Sequence, residues 1–219
     1  MKRYVGPGLA AVAAGLIAMA DTGISAQAVS DPNGEASAVQ VLGGTATFEA
    51  GTNISAINVH GKSGSLEGRA QVRHSGDVIA IEQLEATLPV KTITTGLGLR
   101  DEHMRKYVFT TGDGQTPDLK YTADKAECSP AAGRDGESTC TVSGQLAIRG
   151  TERPFGITLK VKKVGDAYRA AGDAIVKLST YGISRPSQLG VTTTDEVKLH
   201  LEFTAKAAAR QMARAGDLR

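Results

Sequence analysis

The sequence contains no tryptophan and few aromatic residues, since Phe, Tyr and Trp together make up 4% of the 219 residues. Proteins that bind bases or sugars by stacking depend on such rings, so their scarcity argues against both classes. Charge is nearly balanced as well: 25 Lys and Arg against 23 Asp and Glu give a formal net charge of +2. A chain this close to neutrality has no general attraction to nucleic acid, and no nucleic-acid partner is predicted.

Cysteine is also scarce, with two residues, Cys128 and Cys140, in the segment AECSPAAGRDGESTCTV. They do not form a Cys-x-x-Cys motif, which argues against a thiol oxidoreductase. Opposed positions at the base of a hairpin would suit the short Cβ–Cβ distance of a disulfide, and closing so short a loop contributes about 3 kcal/mol. The sequence therefore predicts a Cys128–Cys140 disulfide, with two unpaired thiols as the alternative.

Long apolar runs are absent except near the N-terminus, where about 16 small and apolar residues run from Val5 to Ala20 after a charged start. A membrane span needs about 20 apolar residues, and this run is interrupted by Gly and Pro. The order of charged, apolar and small residues is typical of a secretory signal peptide at residues 1–28, cleaved after Ala28 or alternatively after Ala20. A periplasmic or secreted protein is predicted, with a retained membrane anchor as the alternative.

Motifs that carry catalysis or bind metals are missing too. None of the four histidines has the i, i+4 spacing of a helical zinc site, and none forms His-x-His on a strand. The segment GKSGS, residues 61–65, lacks both the strand-to-helix setting of a nucleophilic serine and the spacing of a phosphate-binding loop. No metal, cofactor or catalytic residue is predicted, although a metal site assembled from distant strands stays open.

What the chain does contain is strand-like sequence with one apolar face. In EVKLHLEFTA, Val197, Leu199, Leu201 and Phe203 alternate with polar residues, and PFGITLKVKKV repeats the pattern. Such period-two runs indicate antiparallel strands that are buried on one side. About eight runs, separated by Gly-containing turns and without α/β alternation, predict an all-β sandwich or closed barrel.

The barrel domain is placed at residues 45–206 of the sequence. Residues 29–44 are small and polar and are predicted to be a flexible lead-in between the signal peptide and the barrel. Residues 207–219 form a basic C-terminal tail, predicted to be a frayed helix or disordered. Peripheral contact of this tail with anionic lipid is the alternative.

The predicted inward stripes are aliphatic and contain many small residues. A barrel of about eight strands can fill itself with side chains or enclose one elongated apolar ligand, and small inward residues leave room for the latter. Composition alone favours a packed core slightly. In VIAIEQLEATLPV the predicted stripe, broken by Glu82, is Val78, Ala80, Leu84, Ala86, Leu88 and Val90.

One central segment, GLRDEHMRKYVF at residues 98–109, is predicted to be helical because it joins helix formers with Asp101 and Glu102 in the first turn. It also gathers Arg100, Asp101 and His103, which are the groups that an enzyme would need. The alternative is structural, with Arg100 and Asp101 tying the helix to the strand ends. The residues facing the barrel would then be Met104, Val108 and Phe109.

Three segments together resemble the YceI-like family of exported bacterial proteins. They are GLRDEHMRKYVF, VSGQLAIRGTERPFGITLKV and KLSTYGISRPSQLGVTTTDEVKLHLEF. The first carries an Arg-Asp-x-His segment followed by an aromatic residue, the second a Gly-x-Leu-x-Ile-Arg-Gly segment leading to Pro154, and the third a Gly-Ile segment before the last alternating strand. Their order and spacing match the family over about residues 45–206.

The resemblance implies an antiparallel, lipocalin-like β-barrel of about eight strands with one short helical insertion. It further implies a lumen that holds an isoprenoid, quinone or similar lipid, and a binding protein rather than an enzyme. Head-group contacts are assigned by resemblance and charge to Arg100, His103 and Arg185. The lumen residues expected to bind the ligand are Phe48, Leu84, Leu88, Tyr121, Leu146, Ile148, Phe155, Ile157, Leu159, Val176, Leu201 and Phe203.

Two other hypotheses stay open at this point. One is a packed barrel without a ligand that acts as a stress-related interaction protein, and a filled interior would favour it. The other is an enzyme that uses Arg100, Asp101 and His103. The oligomeric state is expected to be a monomer or a homodimer.

Overall fold

The structure, a computed structural model, describes residues 36–75, 78–131 and 136–208. The predicted signal peptide with its cleavage positions and nearly all of the predicted basic tail lie outside these residues. Among the residues described, no helix is both long and apolar enough to cross a membrane.

Ten strands and one α-helix are present in the described residues. The helix, α1, spans Gly98–Met104 and continues into a π-helical turn at Arg105–Phe109, while 3₁₀ turns lie at Val90–Thr92 and Leu178–Tyr181. The strands are β1 Ser37–Thr52, β2 Val59–Ser63, β3 Glu67–Ser75, β4 Val78–Leu88, β5 Leu119–Pro130, β6 Glu137–Ile148, β7 Thr151–Val164, β8 Ala167–Lys177, β9 Ser187–Gln188 and β10 Val191–Ala207.

The strands form one antiparallel sheet that closes on itself. Its order is β2-β1-β3-β4-β5-β6-β7-β8-β10-β9, and β10 also pairs with β1 from Val39 to Thr52. The short strand β2 continues β3 along the same side of β1 in one register, and β9 adds two residues beside β10. The predicted barrel of about eight strands with one helical insertion is confirmed.

The alternating pattern of the sequence explains which side chains of the barrel wall are buried and which are exposed. In β7 the side chains of Ile157, Leu159 and Val161 are buried while those between them are exposed, as expected when successive side chains point to opposite faces. The β6–β7 hairpin turns at Arg149 and Gly150, both with positive φ (54° and 73°), which matches the twist of a two-residue hairpin.

The predicted disulfide is present. Cys128 on β5 and Cys140 on β6 are direct cross-strand partners with Cα atoms 3.9 Å apart. The Cys140 side chain is fully buried, so the bridge closes the base of the hairpin from inside the barrel. It ties two strands at the end of the barrel opposite the helix.

The predicted stripe of β4 is wrong in its first half. Ile79 and Ile81 are buried there, and the inward face changes phase before Leu84. The cause is a β-bulge: Gln83 has a positive φ of 49°, and two residues of β4, Gln83 and Leu84, oppose the single residue Ala70 of β3. One extra residue turns the following side chains to the other face, so no single period-two frame fits the whole strand.

The structure also differs from the predicted lead-in. Strand β1 begins at Ser37, inside the segment assigned to flexible residues, because Val39 packs in the core and pairs with both β3 and β10. A bulge between Val41 and Gly43 turns Leu42 outward, which hides the alternation in the sequence. The barrel therefore begins about eight residues before position 45.

Candidate ligand-binding cavity

The barrel encloses a cavity of about 1250 Å³. It runs from the deep layer around Val72, Ile79 and Ala205 to a mouth beside α1 and the loop before β10. Pockets for small molecules typically hold about 300–1,000 Å³, so this one has room for a larger guest. The interior is hollow, which removes the main argument for the packed-barrel hypothesis.

Small inward side chains explain why the interior stays open. Alanines line the cavity on four different strands, at Ala46, Ala86, Ala170 and Ala205. Larger side chains at such positions would meet across a barrel of eight strands, which is just wide enough to be filled by them. The low aromatic content also helps to keep the interior open, because the chain has few large rings that could fill it.

The structure places all twelve predicted lumen residues on the cavity wall. They come from seven of the ten strands, so the barrel closure brings together residues up to about 155 positions apart. These residues are Phe48, Leu84, Leu88, Tyr121, Leu146, Ile148, Phe155, Ile157, Leu159, Val176, Leu201 and Phe203.

One polar group inside the wall is satisfied by the backbone. The Tyr121 hydroxyl lies 3.3 Å from the carbonyl oxygens of both Val142 and Phe155, to which it can donate. Burial raises the pKa of Tyr121 to about 12, so the phenol is neutral at physiological pH. Its ring meets Phe155 edge-on with centroids 6.1 Å apart, leaving an apolar surface toward the cavity.

The helix over the mouth is anchored by Asp101, which is 6% exposed. Its carboxylate accepts hydrogen bonds from Thr94 Oγ1 (2.6 Å), Thr95 N (2.7 Å) and Thr95 Oγ1 (2.5 Å). Burial alone would raise the pKa of Asp101, but these bonds and the charge of Arg105 hold it below its ordinary value. Arg100 donates to Thr95 Oγ1 and to Thr95 O at 2.8 and 2.9 Å. The helix start is thus tied to the preceding loop.

The three head-group candidates all line the mouth. Arg100 is held by Thr95, and His103 Nδ1 lies 2.9 Å from Gln188 Oε1 on the short strand β9. The His103 ring also meets Tyr107 edge-on at 5.8 Å. Arg185 is exposed in the loop just before β9. The barrel therefore gathers cationic and donor groups from the helix and from a loop that follows it by more than 80 residues.

Positively charged residues outnumber negatively charged ones along the cavity. Among the described lining residues the one carboxylate is Glu85, and it is paired with Arg69 at 2.6 Å. The other charged lining residues are cationic, so the cavity combines an apolar wall with a positive mouth. They are Arg100, Lys106, Lys120, Arg149 and Arg185.

A family model described as the YceI-like domain matches residues 33–205. The chain belongs to the YceI-like family. The match begins before β1 and ends near the close of β10, so it covers the whole barrel. No curated protein matches the sequence significantly.

Solved structures of YceI-like and related proteins share the fold. BcnA of Burkholderia cenocepacia is 18% identical with a TM-score of 0.55, over 73% of this chain and 95% of that one. A polyisoprenoid-binding domain of Saccharophagus degradans, implicated in plant cell wall breakdown, is 13% identical with a TM-score of 0.57, over 78% and 99%. A YceI protein of Campylobacter jejuni is 17% identical with a TM-score of 0.53, over 70% and 87%. At these identities the likeness establishes the fold.

The residues of the enzyme hypothesis are committed to different partners in this YceI-like barrel. Both oxygens of Asp101 accept from Thr94 and Thr95, whereas His103 bonds Gln188 across the mouth. Arg100 and Asp101 meet on Thr95 in the loop before α1, whereas the structural alternative placed their partners at the strand ends. Within the described ranges, no group of three His, Cys, Asp or Glu side chains is placed to hold a metal ion.

Sequence reasoning missed the outer ring of the mouth. Leu97, Leu99, Lys106, Tyr107 and Leu189 all line the cavity and are all exposed. None of them belongs to a periodic apolar stripe, so the pattern that found the lumen could not find them. The signal that was available is leucine in glycine-containing turns, as in TTGLGLR and QLGV.

Replacing Asp101 with Ala is expected to lower the free energy of unfolding by about 2–4 kcal/mol, since it leaves three donors at the helix start without an acceptor. Because the native pKa of Asp101 is lowered, its contribution is complete above the ordinary value of 3.8 and is lost as the pH falls through the native pKa. The difference in free energy of unfolding between wild type and Asp101→Ala should therefore become smaller in acid. Denaturant unfolding at several pH values measures it.

The matched control for this prediction is Glu102→Ala, one residue along the same helix and exposed. It should change stability little at any pH. An equal loss from Glu102→Ala, or a deficit of Asp101→Ala that persists unchanged in strong acid, would show that the anchor is misassigned.

Proposed function

We propose that the protein is an exported binding protein that holds one linear apolar ligand, an isoprenoid, quinone or similar lipid, in the barrel lumen. The observation that carries this proposal is the cavity of about 1250 Å³ with its aliphatic wall and positive mouth. The YceI-like family assignment and the polyisoprenoid-binding domain among the solved structures support the same ligand class.

The shape of the cavity supports a long ligand. Lining residues on β10 run from Val191 to Ala205, which at about 3.3 Å per residue and a strand tilt near 40° corresponds to roughly 35 Å along the barrel axis. A chain of repeated apolar units can fill such a tube and bury its surface along the whole length. Burial of this kind stabilises the complex in proportion to the apolar area, less the cost of association.

The charge at the mouth supports a ligand head with anionic or acceptor oxygens. Arg100, His103 and Arg185 are the groups we assign to it, because they line the mouth and come from two different segments. Charge-assisted hydrogen bonds to phosphate or carboxylate are stronger than neutral ones. The tail of the ligand would lie below, among the lumen residues.

The disulfide supports export. Cys128–Cys140 bridges of this kind persist in the periplasm or outside the cell and are rare in the reducing cytosol. A periplasmic or secreted location, with the signal peptide removed, is therefore part of the proposal. A monomer or a homodimer remains the expected state.

The head-group assignment is tested by comparing a polyisoprenyl phosphate with the alcohol of the same chain length in a titration. The phosphate should bind about tenfold more tightly, as expected for one or two charge-assisted hydrogen bonds at a partly solvated mouth. Arg185→Gln should remove most of that difference while leaving binding of the alcohol unchanged. Isothermal calorimetry with detergent-dispersed ligand gives both constants.

The matched control is Arg169→Gln, which removes an exposed arginine from the outer face of β8. It should keep the preference for phosphate. Equal affinity for phosphate and alcohol in the wild type would contradict the head-group assignment, whereas failure to bind either would contradict the proposed function itself.

A further inference from the structure

The exposed large apolar side chains are concentrated at one end of the barrel. Nine such residues are exposed in the described part of the chain, and three of them, Leu42, Val164 and Ile175, are scattered over the walls. The other six surround the mouth, in the β1–β2 turn, in and before α1, in the π-helical turn and at the β9–β10 turn. These six, the mouth rim, are Ile54, Ile57, Leu97, Leu99, Tyr107 and Leu189.

Hydrogen bonds hold the segments of the mouth rim next to one another. Asn53 N donates to Thr192 O at 2.9 Å, and Thr192 N donates to Asn53 Oδ1 at 2.8 Å, which joins the β1–β2 turn to β10. His103 contacts Gln188 at 2.9 Å, which joins α1 to β9, directly before the β9–β10 turn. The rim is therefore one surface rather than a set of unrelated side chains.

Leu189 has no evident folding reason to be leucine. It forms the two-residue β9–β10 turn with Gly190, both with positive φ (51° and 80°), and it is 96% exposed. Turns of this type favour Asn or Asp at the first position, and a leucine there is strained. An apolar side chain kept in an unfavourable conformation and in full contact with water indicates a role outside the fold.

The mouth rim is continuous with the lumen. Ile57, Leu97, Leu99, Tyr107 and Leu189 belong both to the exposed surface and to the cavity wall. A ligand leaving the cavity would therefore keep its apolar chain in contact with the rim while its head passes the cationic groups of the mouth. Whatever covers the rim is thus placed to exchange an apolar molecule with the lumen.

The charges among these residues favour an anionic bilayer as the occupant. Lys106 and Arg185 are exposed beside the rim, with Glu102 as the exposed carboxylate of α1. Leucine and tyrosine side chains with neighbouring cations are the composition of surfaces that insert shallowly into anionic membranes. A second copy is less suitable, because a two-fold pairing of mouths would bring the same cations together.

We propose that the mouth rim docks on a bilayer that contains anionic phospholipid, so that the cavity opens directly on the membrane. This goes beyond the proposed function, because docking concerns the outer surface and does not depend on which molecule occupies the lumen. The rim leucines enter the interface between head groups and acyl chains. Lys106 and Arg185 contact the lipid phosphates.

The test is flotation with vesicles of phosphatidylcholine alone and of phosphatidylcholine mixed with phosphatidylglycerol. The protein is taken as secreted by a bacterial host, with its N-terminus read by mass spectrometry, so that all variants share the same ends. Wild type should partition onto the mixed vesicles, more strongly than onto the neutral ones and less strongly in high salt. The double variant Leu97→Asp/Leu189→Asn should partition at least about tenfold less, because two large apolar side chains no longer insert.

The matched control is Ile175→Asp/Val164→Asp, which removes two exposed apolar residues from the walls and should partition like wild type. Leu189→Asn alone should raise the melting temperature while lowering partitioning, an opposite pair of effects that a merely structural residue would not give. Lys106→Glu should weaken binding to the mixed vesicles only. Ile54→Asp changes a rim residue that is not on the cavity wall, so it should lower partitioning while native mass spectrometry of this variant still finds the lumen ligand. That result separates a failure of docking from a failure of the proposed function.

Four outcomes would overturn the proposal. The first is wild type that does not partition, or that binds mixed vesicles no more strongly than neutral ones. The second and third are a rim variant that binds like wild type, and a wall variant that loses as much binding as the rim variant. The fourth is a wild-type homodimer that dissociates in the rim variant. The last would identify a second copy as the occupant of the rim.

Discussion

Replacing Leu159 with Arg is expected to lower the affinity for an apolar ligand by more than about a hundredfold. Leu159 is buried on β7 and lies on the cavity wall deep in the barrel, where it pairs with Cys140 of the disulfide. A guanidinium there must keep its hydration, and water held around it takes the space of the ligand chain. Retention of ligand during purification, followed by extraction and mass analysis, measures the effect.

Thr158→Arg is the matched control, since it places the same side chain on the adjacent, exposed position of β7. It should retain the ligand. If Leu159→Arg proves unfolded by circular dichroism, Ala170→Phe gives the same test without a buried charge. Ala170 lines the cavity, and a phenyl ring there should shorten the longest chain that binds and raise the stability of the empty protein. Undiminished binding by both lumen variants would contradict a ligand inside the barrel.

Replacing Gly144 with Ala is expected to lower the free energy of unfolding by about 3 kcal/mol or more, the largest stability effect among the small substitutions considered. A Cβ at this position would collide with the carbonyl oxygen of Thr122 and lie 2.9 Å from both Ala123 Cβ and Tyr121 Cζ. Backbone cannot yield as a flexible side chain would. The register of β5 and β6 shifts just beyond Thr122, so the bulge brings this carbonyl toward Gly144.

Gly156→Ala is the natural comparison, because Gly156 lies on the neighbouring strand β7 and the closest atom to its added Cβ would be Val142 O at 3.9 Å. That change should be neutral or slightly stabilising. Thermal unfolding of the two variants should give Tm values that differ by about 6–12 °C. Urea unfolding should show the same difference as a free energy of unfolding. Equal stability of the two would show that β5 and β6 are farther apart than described.

The parts of the fold that could be predicted are those where one face of a strand is uniformly buried. Strands β7 and β10 show an unbroken alternation, so Leu159, Leu201 and Phe203 could be placed on the inward face from sequence alone. The disulfide followed from the hairpin spacing of Cys128 and Cys140. The helical insertion followed from a single run of helix formers.

β-Bulges explain why the facing of the other strand segments does not follow from the sequence pattern. In β4 the extra residue near Gln83 reverses the facing, and in β1 the bulge at Leu42 interrupts the alternation. A period-two template assumes a constant register, so each bulge makes it fail on one side. The first half of β4 and the start of β1 were mispredicted for this reason.

The candidate site divides in the same way. The lumen residues share the strand pattern and are predictable from it. Leu97, Tyr107 and Leu189, by contrast, line the same mouth only because three separate segments converge at one end of the closed barrel. No local pattern marks such a ring. The tie between Arg100, Asp101 and Thr95 could be anticipated as a helix anchor, but its partners in the loop could not.

The central claim is that the lumen carries a lipid, and native mass spectrometry of the purified protein with organic extraction tests it most directly. The account predicts one apolar molecule per chain, of isoprenoid or similar linear class, present in wild type and absent from Leu159→Arg. A protein of apo mass recovered from cells rich in isoprenoid lipids would contradict it.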